Sequence, residues 1–146
     1  MDMQAMESAS LNVAVALALV VLARVRDSWP ACVAGFFFMF CAALNHAAYT
    51  SGEYTADAVE IYFIGSVGNI ILMLILVAER RVSIEKFIMA AFFAMLSIQH
   101  VMMALDEYQN NDVETWLWSW SYQFRASADV IIASLGAISA IRSKGH

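Results

Sequence analysis

Two histidines lie inside the chain, His46 and His100, and both sit in the same company. Leu44-Asn45-His46 leads to Glu53-Tyr54 and then Asp57-Ala58-Val59-Glu60, while Ile98-Gln99-His100 leads to Glu107-Tyr108 and then Asp112-Val113-Glu114. In each copy an amide residue precedes the histidine and the Glu-Tyr pair begins seven residues after it. Imidazole and carboxylate groups together suit a transition metal, and two imidazoles can clamp a haem iron. His46 and His100, with Glu53 and Glu107 as further ligands or second acceptors, are therefore the candidate haem or metal set. The plainer alternative is that each imidazole caps a helix end or bonds a loop carbonyl with one edge wet. No Cys-x-x-Cys-His or His-x-x-x-His spacing strengthens the metal reading.

A second group of residues draws attention because of what surrounds it. Asn12, Asn69 and Asp129 each precede a cluster of arginine by a similar interval and fall in otherwise apolar runs. A carboxylate at mid-bilayer costs at least about 2.5 kcal/mol and marks a functional site by default. Arg125 lies four residues before Asp129 on the same helix face, so the pair can neutralise itself and serve packing alone. Asn12 and Asn69 are expected to act as interhelical hydrogen-bond glue. Gly65, Ser66 and Gly68 form a small-residue face that admits a neighbouring helix closely. Met1, Met3 and Met6, with Met102 and Met103 beside His100, offer soft sulfur for copper(I), although methionine is also ordinary filler. Cys32 and Cys41 stand nine residues apart on opposite faces of one helix and cannot pair with each other.

The elements that position these groups follow from composition. Hydrophobic residues make up 62% of the chain, charged residues only 14%, and the mean hydropathy is +0.66. A water-soluble domain does not reach such values, so an all-α polytopic integral membrane protein is expected. Five apolar runs, Leu11 to Ala23, Ala31 to Tyr49, Val59 to Ala78, Ile84 to Leu105 and Ala126 to Ile141, supply five transmembrane helices. Met1 to Ser10 reads as a polar tail, and Trp116 to Tyr122 as an aromatic cluster at the membrane boundary. Arginine follows the first run rather than preceding it, which argues against a cleaved signal peptide.

Charge sets the orientation. Arg24, Arg26, Arg80, Arg81, Lys86, Arg142 and Lys144 fall on one side of this map, and Asp2, Glu7, Glu53, Asp57, Glu60, Asp106, Glu107, Asp112 and Glu114 on the other. The positive-inside rule gives the N-terminus out and the C-terminus in. A four-span map, with residues 116–142 on the membrane surface, would mix the two sets. The repeat, offset by fifty-four positions between His46 and His100, divides the single transmembrane domain 1–146 into a first helix and loop at 1–28 and two hairpins at 29–81 and 82–146. The hairpins would be related by a pseudo-twofold axis along the membrane normal, placing the histidines at equal depth.

Function follows more weakly. No phosphate-binding loop, nucleophile elbow, zinc-protease helix or basic nucleic-acid patch is present, so a non-enzymatic role is expected. The first expectation is a small component of a bacterial inner membrane that works by assembly, as a homo-oligomer or as a subunit of a larger membrane complex. The second is a pore, transporter or holin-like permeabilising protein that uses Asn12, Asn69 and Asp129. The third is a haem- or metal-binding redox subunit centred on His46 and His100.

Overall fold

The computed structural model describes residues 3–50, 57–109 and 115–143, with side chains described for 10–47, 59–106 and 120–143. It contains five helices: α1 (Met3–Arg26), α2 (Trp29–Thr50), α3 (Asp57–Ala78), α4 (Ile84–Gln109) and α5 (Thr115–Arg142). No strand occurs among the described residues. Four stretches, Trp29–Ala47, Val59–Ala78, Ile84–Asp106 and Trp120–Arg142, are long and apolar enough to cross a membrane, which makes this an integral membrane protein. Broad apolar surface is exposed accordingly, as along α3 at Phe63, Ile64, Val67, Ile71 and Leu74.

Two helices begin earlier than the apolar runs suggest. α1 takes in Met3 to Ser10, where Gln4, Ala5, Met6 and Glu7 are all good helix formers. α5 starts at Thr115 and carries the tryptophan-rich segment as helix. It is no surface helix, because Ala128 and Ile132 are fully buried in the bundle core.

Local chemistry explains the tight connections. Asp27 takes a left-handed conformation (φ 52°), and the Ser28 amide reaches back to the Ala23 carbonyl at 3.0 Å. This Schellman-type stop ends α1. The Ser28 hydroxyl then accepts from the Ala31 amide at 3.4 Å and caps the start of α2. Ser83 caps α4 in the same way, accepting from the Lys86 amide at 3.3 Å. These short turns hold α1 against α2 and α3 against α4, the two most extensive packings in the bundle. α1, expected to stand alone, is thus one arm of a hairpin. The pairs α2 with α3 and α4 with α5 meet over shorter stretches.

All five helices bring one end to a common basic end. Lys86, only 6% exposed, points its Nζ at the carbonyls of Glu79 (2.5 Å) and Arg81 (2.6 Å) and at the Glu79 carboxylate (3.3 Å). Arg142 donates to the buried Glu85 at 2.7 Å, and the Ser143 hydroxyl donates to the Arg26 carbonyl at 2.8 Å. The Ser28 hydroxyl donates to that of Ser139 at 3.3 Å, while the Trp29 indole donates to the Ile75 carbonyl at 3.0 Å. Above this end lies a dry core of Leu19, Val33, Phe37, Leu72, Leu76, Met89, Phe93 and Ile132.

Candidate functional site

Polar side chains from all five helices gather around two adjoining cavities in the opposite half of the bundle. The larger, about 470 Å³, lies between α1, α2 and α5 and is lined by Asn12, Cys41, Asn45, Tyr122, Arg125 and Asp129 among apolar neighbours such as Leu11, Val15, Phe38 and Ala133. The smaller, about 10 Å³, reaches inward and shares Cys41, Arg125 and Asp129 with it, adding Asn69 of α3 and His100 of α4. A space of that size holds about one water molecule. Counting along the helices at about 1.5 Å per residue, Asp129 lies about 14 Å from Trp120 and Asn69 about 15 Å from Val59, so both sit near the middle of their spans.

Helix packing fixes the inner wall. Gly65 faces His100 so closely that a Cβ there would stand 2.5 Å from the imidazole Cδ2, and Gly68 faces the Phe40 ring. The small-residue face anticipated at Gly65, Ser66 and Gly68 therefore seats two aromatic side chains rather than a bare backbone. The His100 ring is held from its own helix as well, by Nδ1 donating to the Leu96 carbonyl at 2.7 Å. A carbonyl can only accept, so Nε2 is left as the basic nitrogen. Tyr62 packs beside the ring with centroids 6.2 Å apart.

Asn69 behaves differently from expectation. Its Nδ2 donates to the Gly65 carbonyl at 2.8 Å within its own helix, because a side chain of that length reaches back one turn, and its Oδ1 is buried without a hydrogen-bond partner. Interhelical glue comes instead from residues outside the candidate set. The Ser66 and Ser97 hydroxyls bond at 2.7 Å between α3 and α4, and the Gln99 amide donates to the Ser121 hydroxyl at 2.9 Å between α4 and α5. An amide or hydroxyl recurring inside an apolar run is the signal that points to them.

Arg125 and Asp129 both line the cavity, yet they form no ion pair within 4.0 Å, and neither hydrogen-bonds through its side chain to another described residue. They make no close contact ion pair, although the two charges still act on each other one helical turn apart. Asn12 and Asn45 stand on the opposite wall and supply neutral amides.

The two described members of the candidate metal set sit in different settings. His100 is 7% exposed and faces Gly65, whereas His46 lies exposed on α2 and lines neither cavity. No group of three or more His, Cys, Asp or Glu is arranged to hold a metal ion among the described residues. Glu53 and the Glu107 side chain, like Met1, Met3, Met6 and the tryptophans at 116 and 118, lie outside the residues whose side chains are described. Cys32 and Cys41 are both free thiols.

A second cleft, about 620 Å³, opens at the basic end and is lined by Asp27, Ser28, Glu79, Arg81, Ser139 and Arg142 among others. On α5, Asp129 and Ser139 are ten residues apart, so roughly 15 Å of helix and the dry core separate this cleft from the polar cavities. Comparisons with protein-family models, with curated proteins and with solved structures give no match.

Proposed function

We propose that this protein moves a small polar solute across a membrane, using the two joined polar cavities as its binding site. The observation that carries this reading is the convergence of Asn12, Asn45, Asn69, His100, Arg125 and Asp129 from five helices upon one place inside an apolar bundle. Intramembrane polar groups are costly, and those that line a cavity mark solute or ion pathways. The clefts on either side of a dry core fit a carrier caught open toward one face.

In this reading α1 crosses the membrane beside the four long apolar stretches, giving five spans. The positive-inside rule puts the basic end in the cytoplasm, the N-terminus outside and the C-terminus inside. The polar cavity then opens in the outer half and the basic cleft faces the cytoplasm. A bacterial inner membrane suits loops this short, and the internal repeat would have supplied α2 with α3 and α4 with α5.

Osmotic swelling of proteoliposomes tests this across many solutes at once. Vesicles holding the protein shrink in a hyperosmotic pulse of a small neutral or zwitterionic solute and then reswell as it enters. Reswelling at least tenfold faster than in protein-free vesicles, lost in Asp129→Asn, is expected for one or more members of a solute panel. Identical traces with and without protein across the panel contradict translocation.

A further inference from the structure

Taking the translocation reading as its basis, the geometry points to a substrate of defined class: a compact zwitterion that carries an ammonium group, an anionic oxygen group close to it, and a short hydrocarbon portion. The cavity holds one cation and one anion, Arg125 and Asp129, a single helical turn apart and unpaired with each other. A ligand of single charge would contact one of them and leave the other without a close partner. A ligand with both charges, separated by a few ångströms, answers both at once.

The polar atoms around the two charges also match the groups of such a ligand. The deep end is lined by the Asp129 carboxylate and by Asn69, whose buried Oδ1 has no partner, with Arg125 and His100 on the same small cavity. An ammonium group carries three donors and no acceptor, which suits the Asp129 carboxylate and the Asn69 oxygen. Arg125, one turn nearer the start of α5, offers a planar fork for a carboxylate or phosphate. Leu11, Val15, Phe38 and Ala133 line the remaining wall and take the hydrocarbon. Two sources share this chemistry, an aliphatic α-amino acid and the phosphoethanolamine headgroup of a lipid.

The test is a ligand panel on the purified full-length chain in detergent, read by calorimetric titration and by thermal unfolding. The soluble arm compares L-leucine with 4-methylpentanoate, which lacks the ammonium, and isoamylamine, which lacks the carboxylate. The lipid arm compares dioleoyl phosphatidylethanolamine with dioleoyl phosphatidylglycerol in mixed micelles. Saturable binding of leucine, or of phosphatidylethanolamine, at least tenfold tighter than the singly charged members of its arm is expected, and which arm responds identifies the source. Arg125→Gln and Asp129→Asn should each weaken it by tenfold or more. Equal binding of isoamylamine and leucine, equal binding of the two lipids with no leucine response, or no binding in either arm overturns the zwitterion assignment. The panel compares ligands on the unmodified chain, so it does not depend on the variants folding. Because the osmotic assay also scores neutral solutes, that assay can succeed while the panel fails.

Discussion

Adding one methyl group at Gly65 should unseat the wall of the polar cavity. An alanine Cβ there would lie 2.5 Å from His100 Cδ2 and 2.8 Å from Nε2, separations that carbon and nitrogen do not tolerate. The ring cannot simply swing away, since Nδ1 is tied to the Leu96 carbonyl at 2.7 Å and the residue is buried. Either α3 and α4 separate by several tenths of an ångström, loosening the Ser66–Ser97 bond, or the imidazole leaves its rotamer. Overpacking of this kind costs about 1–3 kcal/mol, enough to change the folded-to-unfolded ratio by roughly 5- to 30-fold at 1–2 kcal/mol. The assay is reversible unfolding in mixed micelles, followed by tryptophan fluorescence, for wild type, Gly65→Ala, His100→Ala and the double variant. If the clash is the cause, removing the ring relieves it, and the double variant loses at least about 1 kcal/mol less than the sum of the singles. Additive losses, or no loss in Gly65→Ala, would refute the contact as the source of the cost.

Other outcomes follow from the same contacts. Asn69→Leu removes a buried acceptor that has no partner, so thermal unfolding in detergent should show no loss of stability, or a gain of about 1 kcal/mol, while ligand binding in the panel is lost. Lys86→Met uncaps two carbonyls and a carboxylate at the basic end and should cost about 2 kcal/mol, visible as a lowered unfolding midpoint. Ser66→Ala combined with Ser97→Ala should show a coupling of about 0.6–1 kcal/mol in a double-mutant cycle, in line with hydrogen bonds between membrane helices. Phe93→Ala, at a fully buried position in the dry core, should cost about 3 kcal/mol and make the two clefts leaky to each other in the swelling assay.

The helices were legible in the sequence because each is built on an apolar run that ends in polar or charged residues, four of them on stretches long enough to span a membrane. The ends were less so. Residues 3–10 are polar but composed of good helix formers, and hydropathy alone is blind to that. Pairing was harder still. The repeated histidine boxes draw the eye to the loops that follow α2 and α4, yet the short capped turns at Asp27-Ser28 and before Ser83 decide which helices lie closest. Similar boxes also met different surroundings. His100 faces a glycine on α3 and is enclosed, whereas His46 has an exposed position, a difference set by neighbours that no local spacing reveals. Asn12, Asn69, Arg125 and Asp129 stood out because polarity in an apolar run is conspicuous. That they share one cavity with Asn45 and His100 depends on helix rotation, which the sequence encodes only through the packing of all five helices together.

Translocation through the polar cavity is tested most directly by side-resolved thiol chemistry. In a chain whose Cys32 and Cys41 are replaced by alanine, Ala133→Cys places one thiol in the cavity wall, one turn beyond Asp129. A membrane-impermeant thiol reagent is applied to right-side-out and to inside-out vesicles. Reaction from the N-terminal face, with slower reaction from the basic face, is expected of a cavity that opens to each side in turn. Reaction from neither face, or from the N-terminal face alone however long the exposure, would contradict translocation.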